Sequence, residues 1–292
     1  MSDNVFITGP TNGIGRETAL ELARQGYKLV LLCRNKQAGE ALCREISALE
    51  QAPEPILLIA DLGDMTQVRS AVEQFLALDI PLHTLINNAG VVNTERKVVS
   101  VSGYELEQMF AVNYLGHYLL TRLLLPKLVK TSKKEGRPSR IIVVSSEAHA
   151  LFCRGMDFDD INYERKFRPF LAYGRSKLAN ILMVKYLAKK LNSTEVQINC
   201  LHPGAVKSNL GTNNGQQWYT SLLTAFLHLF FISPKKGAET TVFLATQDIQ
   251  TQGEYYYRCK LHRLKPWAQD EQAAEKLWCY SANLLGLDTE DS

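Results

Sequence analysis

Among the six cysteines of this 292-residue chain (Cys33, Cys43, Cys153, Cys200, Cys259, Cys279) there is no Cys-x-x-Cys pair, and no His-rich spacing accompanies them. That argues against a zinc site or a redox disulfide, and no metal is expected. Cys33 and Cys200 fall in apolar, strand-like runs and read as small buried thiols of a reducing compartment. Charge of one sign is also missing. The 33 Lys and Arg against 30 Asp and Glu leave a net +3, too slight and too dispersed for a nucleic-acid partner. The densest basic stretch, "PKLVKTSKKEGRPSR" (126–140), joins a helix to a strand and reads as a solvated loop. A membrane-spanning run is absent as well: the longest apolar stretch, "SLLTAFLHLFFI" (221–232), falls short of the roughly 20 residues a spanning helix needs. No signal peptide precedes "NVFITG", so a cytoplasmic location is expected.

What is present is an alternation of short apolar runs and longer amphipathic ones. "NVFIT" (4–8) leads to a helix from Gly13 to about Gln25, "YKLVLLC" (27–33) to one through Leu49, and "PILLIAD" (55–61) to one across 65–78. "LHTLINN" (82–88) precedes a long helix around 104–130, "RIIVVSS" (140–146) a helix at 173–191, and "VQINCLHP" (196–203) and "EYYY" (254–257) complete the strands. The strands are continuously apolar, as burial on both faces of a parallel sheet requires. No linker or repeat divides the chain. The expectation is α/β: one doubly wound Rossmann domain over 1–292, with a seven-stranded, mainly parallel sheet and helices on both faces.

"TGPTNGIG" (8–15) sits where the first strand hands over to the first helix. Gly9 suits a tight turn, Gly13 lets backbone approach a diphosphate, and Gly15 lets the helix pack on the sheet; the helix N-terminus then faces the anion. The second strand ends in "LLCRN", with no Asp or Glu at 33–35 to take a ribose 2′-hydroxyl. Arg34 stands there instead, and its guanidinium suits a 2′-phosphate, so NADP(H) is the expected cofactor. In "YGRSK" (173–177), Tyr173 and Lys177 are four residues apart and share a helix face.

Taken with "NNAG" (87–90) and "HPG" (202–204), these motifs resemble the short-chain dehydrogenase/reductase family over essentially the whole chain. "FAVNYLGHYLLT" (110–121), "SKLANIL" (176–182), "LHPGAVKSNL" (201–210) and "AAEKLWCYSANLLGL" (273–287) are similar to its retinol dehydrogenase-like branch. The resemblance implies Tyr173 as general acid/base, Lys177 as its partner on the nicotinamide ribose, Ser146 on the substrate oxygen, and Asn113 in a proton relay. It implies that Thr8, Gly9, Thr11, Asn12, Gly13, Ile14 and Gly15 line the diphosphate. Asp61 and Leu62 would border the adenine, Asn88, Ala89 and Gly90 would lie beneath the cofactor, and Pro203, Gly204 and Val206 would meet the nicotinamide amide. A free tyrosine titrates near 10, and a lysine cation about 4–6 Å away is expected to lower that by roughly 1–3 units.

Several positions keep a second reading. Ser145 competes with Ser146 for the catalytic place, Asn113 could only brace a sheet edge, and His202 reads as part of a turn. Glu147 and His149 adjoin the serine and are candidate substrate contacts. The long interval between Ser146 and Tyr173 would shape the pocket and cover helix faces that relatives use to assemble, so monomer and homodimer both stay open. At about 207–235 a polar hinge and an aromatic run are expected to form a lid. Trp218, Tyr219, Phe226, Phe230 and Phe231 would touch substrate, with the outer face of the lid resting on a lipid surface. The expected activity is interconversion of a lipophilic aldehyde or ketone and its alcohol, of retinoid or steroid type. The alternatives are a light-driven ring reductase and a nucleotide-sensing scaffold without catalysis.

Overall fold

The computed structural model describes residues 2–204 and 232–289. Strand β1 (Asn4–Thr8) pairs in parallel with β2 (Lys28–Cys33) on one side and β4 (Thr84–Asn87) on the other. Beyond β2 lies β3 (Ile56–Ile59), and beyond β4 come β7 (Ser139–Val144), β8 (Val196–Leu201) and β9 (Tyr255–Tyr257). The chain therefore reverses its winding between β1 and β4. That switch opens a crevice at the carboxyl ends of the two strands, which is where open α/β sheets bind ligands. Alternation along β1 explains why it reads as one apolar run: Val5 and Ile7 enter one core while Phe6 enters the other. The Phe6 core packs beneath α3 (Met65–Ala77), α5 (Gly116–Glu135) and α7 (Pro169–Lys190), and the Val5 core beneath α1 (Gly13–Arg24), α2 (Lys36–Ser47) and the helix Pro234–Thr246.

Three expectations are corrected. The main sheet has eight strands among the described residues, because β10 (Lys260–Leu261) adds an antiparallel edge to β9. Two residues give no periodicity to read. The helix expected from 104 starts at Gln108, since Tyr104–Glu107 (β6) forms a hairpin with Val98–Val101 (β5). Its two-residue turn, Ser102 (φ 50°) and Gly103 (φ 84°), is left-handed at both positions, the geometry that matches strand twist in a tight hairpin. Glu107 then caps the helical segment α4 (Gln108–Phe110), accepting the amides of Met109 at 2.9 Å and Phe110 at 2.8 Å. Finally, α7 begins at Pro169, a proline in its first turn, so Tyr173 sits a turn inside the helix and does not open it.

The last described helix, Glu271–Leu284, lies across α7 and α5. Trp278, 1% exposed, packs its ring 4.6 Å from those of Tyr118 and Tyr186, and Tyr114 shares a 2.8 Å hydrogen bond with Ser281. Among the described residues no helix is long and apolar enough to cross a membrane.

Candidate active site

The first turn is built on close approaches. A Cβ added to Gly15 would lie 2.2 Å from the Gly9 carbonyl oxygen and 2.4 Å from Asn88 Nδ2, so only glycine lets α1 start there. Asn88 Nδ2 donates to the carbonyls of Thr8 (2.8 Å) and Gly9 (3.2 Å), while Thr8 Oγ1 accepts the amides of Asn88 (2.9 Å) and Ala89 (3.0 Å). The "NNAG" segment thus braces the turn from below. Above it, a Cβ added to Gly13 (φ 54°) would meet nothing within 4 Å among the described residues, and the first turn of α1 carries no acidic residue. Asn12 caps the helix through the Gly13 amide at 2.7 Å, and Thr11 and Ile14 are half-buried beside it. An open space before an uncompensated helix N-terminus fits a diphosphate.

At the far side of the crevice, the exposed Arg34 at the end of β2 reaches Asp61 beyond β3, with Nη1 3.4 Å from Oδ2. Asp61 holds its own loop through the Gly63 amide at 2.8 Å. The buried Leu62 brings its backbone against α5: a Cβ on Gly116 would be 2.2 Å from the Leu62 carbonyl oxygen.

Tyr173 and Lys177 stand one turn apart on α7, facing the end of β7. Ser145 Oγ donates to the Lys177 carbonyl at 2.8 Å, whereas Ser146 Oγ accepts the Ala148 amide at 3.2 Å and is the serine that acts on the Tyr173 phenol. Lys177 is 3% exposed, and its ammonium donates to the Val144 carbonyl at 3.1 Å, 5.9 Å from the Tyr173 ring centre. The expected lowering of the tyrosine by the lysine is therefore not what this geometry gives. Burial raises Tyr173 above the usual phenol range, with Ser146 pulling the other way, and burial lowers Lys177 to about 8. A Cβ on Gly90 would press on Lys177 Nζ (3.3 Å) and just touch Asn113 Oδ1 (3.5 Å).

Asn113 lies in the π turn Ala111–Leu115 that joins α4 to α5. Its side chain grips Val91 at both ends, accepting the amide at 2.7 Å and donating to the carbonyl at 3.0 Å, and donates to Ser176 Oγ at 3.0 Å. Of the remaining candidates, Pro203 and Gly204 follow β8, Gly204 in the left-handed region (φ 88°) with the Tyr257 ring 3.3 Å from an added Cβ. Glu147 Oε2 lies 3.5 Å from Nδ1 of His202, which is buried and stacked 4.2 Å over Tyr257. His149 sits in the short helix α6 (Ala148–Leu151), 1% exposed, with Nδ1 bonded to the Ser146 carbonyl at 2.7 Å. It supports the serine's backbone from inside the core. Val206, Trp218, Tyr219, Phe226, Phe230, Phe231 and nearly all of the expected lid lie outside the described residues.

Sequence reasoning passed over His117 and Ser176. Ser176 donates to the Tyr173 carbonyl at 2.8 Å, and His117 stands between Thr8 and Asn113. The only trace in the sequence is the i,i+4 spacing of Asn113 and His117, which alone points to nothing.

The family model described as short chain dehydrogenase matches residues 3–155. Retinol dehydrogenase 12 of Mus musculus is 38% identical over 288 residues, which take in 98% of this chain and 87% of that protein. Retinol dehydrogenase 14 of Homo sapiens is 38% identical over 299 residues, 97% of this chain and 86% of the other. Among solved structures, the 3-ketoacyl-(acyl-carrier-protein) reductase of Brucella melitensis, complexed with NADH, superposes with a TM-score of 0.67 at 24% identity, covering 87% of this chain and 95% of its own. That likeness speaks for the fold, and the near full-length identities for descent. The chain belongs to the short-chain dehydrogenases, a family of oxidoreductases that includes retinol dehydrogenases.

Proposed function

We propose that this enzyme uses NADP(H) to interconvert a lipophilic aldehyde or ketone and its alcohol, of the retinoid or steroid type, with Tyr173 as acid/base. The observation that carries the reading is the meeting of the end of β7 with α7: the buried Lys177, one turn along from Tyr173, donates its ammonium to the Val144 carbonyl at 3.1 Å, and Ser146 lies where it holds down the proton affinity of Tyr173. The residues present fit a nicotinamide dinucleotide: an open helix N-terminus at Gly13, a basic side chain at the ribose position, and Lys177 beneath Gly90. When bound, that cofactor supplies or accepts the hydride.

In reduction, Tyr173 gives its phenol proton to the carbonyl oxygen, and Ser146 donates a hydrogen bond to the same oxygen as charge grows on it. In oxidation the alcohol returns its O–H proton to Tyr173. Lys177, lowered to about 8, keeps most of its charge at pH 7 and would hold the nicotinamide ribose of the cofactor. Asn113 fixes the Val91 backbone and Ser176, and so sets the floor on which these groups stand. Glu147 flanks the substrate side.

Arg34 supports NADP over NAD, since its side chain is 61% exposed and its partner contact with Asp61 is long. The retinol dehydrogenase names of the relatives and the apolar run at 221–232 support a lipophilic substrate. All six cysteines are free, which fits a reducing cytoplasm.

The test is a panel of aldehydes, ketones and secondary alcohols, short and long, assayed with NADPH, NADH and their oxidised forms at the reduced-nicotinamide absorbance band. Turnover of long apolar carbonyls with NADPH is expected. A panel silent with both cofactors, or a clear NADH preference, contradicts the reading.

A further inference from the structure

His117 is fully buried in the first turn of α5, 109 residues along the chain from Thr8, yet it touches both ends of the candidate site. Its Nδ1 lies 3.0 Å from the Asn113 carbonyl oxygen and its Nε2 lies 2.8 Å from Thr8 Oγ1. The tautomer follows from the partners. A carbonyl only accepts, so Nδ1 carries the hydrogen. Burial, the largest influence, and the nearby Lys177 cation hold His117 down to about 4, so the ring is neutral at working pH and Nε2 keeps a lone pair. The Thr8 hydroxyl must then donate to Nε2. That leaves its own lone pairs for the Asn88 and Ala89 amides, at 2.9 and 3.0 Å.

One directed chain of hydrogen bonds results. It runs from the "NNAG" amides through Thr8 to His117, and from His117 to the Asn113 carbonyl. The Asn113 side chain continues it to Ser176 Oγ at 3.0 Å, and Ser176 donates to the Tyr173 carbonyl at 2.8 Å. Asn113 lies in the π turn, where the helical ladder widens and the Gly116 amide bonds back to Ala111. Such turns recur at functional sites.

We infer that His117 is a positioning residue that couples the cofactor-binding turn to the acid/base tyrosine, through Thr8 at one ring nitrogen and Asn113 at the other. The inference rests on the activity proposed above, but its two ends are separable. In His117→Asn, the amide nitrogen takes the place of Nδ1, keeping the Asn113 bond and losing Thr8. In His117→Gln, the longer amide reaches the place of Nε2, keeping Thr8 and losing Asn113. His117→Phe loses both.

Two quantities are read for each variant: the NADPH dissociation constant, by fluorescence titration without substrate, and kcat on the best substrate of the panel. The Asn variant should weaken NADPH about tenfold, the scale of one buried hydrogen bond, with kcat within about twofold. The Gln variant should lower kcat about tenfold with the dissociation constant within about twofold, and Phe should show both losses. Where His117→Phe does not fold, the contrast between the Asn and Gln variants carries the test. Equal loss of both quantities in Asn and Gln, or no change in either, makes His117 a packing residue and overturns the inference. If wild-type protein turns over no substrate, the proposed activity fails; the NADPH constants of the Asn and Gln variants then decide the Thr8 link alone.

Discussion

The Ser145 hydroxyl donates to the Lys177 carbonyl oxygen at 2.8 Å, tying the end of β7 to α7 and leaving Ser146 as the serine that acts on the Tyr173 phenol. On the proposed mechanism the two adjacent serines have different duties. Ser146→Ala should lower kcat about 10²-fold or more, the scale of one lost donor to a developing oxyanion, at an unchanged melting temperature. Ser145→Ala should do the reverse, lowering Tm by about 2–4 °C with kcat nearly intact. Steady-state kinetics and thermal melts on the pair check this; similar kcat losses in both would remove the distinction.

Arg34 gives the second prediction. Replacing it with Asp removes a charge-assisted contact worth about 1.5–3 kcal/mol and should weaken NADPH roughly 10- to 100-fold, while NADH barely changes. Titration of both nucleotides decides it. Equal losses would mean that Arg34 braces the Asp61 loop, its partner at 3.4 Å, and does not read a phosphate.

How much of this was legible beforehand depends on the range of the interaction. The first turn announced itself because three glycines, a strand and a helix are contiguous, and Val5-Phe6-Ile7 reads as buried because both faces of β1 are covered. The hairpin at 98–107 did not: its turn is a single Ser-Gly pair, and Glu107 looks like one more helical residue until its carboxylate is seen capping Met109 and Phe110. His117 was invisible for a different reason. Its partner Thr8 is brought to it only by the pairing of β1 with β4 and the packing of α5 over them, and no local pattern encodes that. Tyr173 and Lys177 were legible as a pair, but the burial that sets their proton affinities comes from the sheet and its helices.

Buried neutral histidines give a prediction about acid. His117 is lowered from 6.5 to about 4 and His202 to about 3, in both cases mainly by burial. Between those values and 6.5 the unfolded chain binds protons that the folded one refuses. Stability is therefore whole above about pH 6.5 and falls as the pH drops toward 4. Each group should cost roughly 2 kcal/mol at pH 5 relative to pH 7. Urea unfolding at the two pH values checks the sum, and His202→Asn should flatten the difference by about one group's share. An identical pH slope in wild type and variant would contradict it.

The central claim is that Tyr173 moves the proton, and the most direct measurement compares wild type with Tyr173→Phe on one carbonyl substrate, with NADPH affinity measured in parallel. Removing the hydroxyl leaves the ring to pack but no acid to give. Turnover should fall by at least about 10²-fold, the usual scale of general acid–base work, while the NADPH dissociation constant stays within about twofold. Turnover close to wild type in the phenylalanine variant would contradict the account.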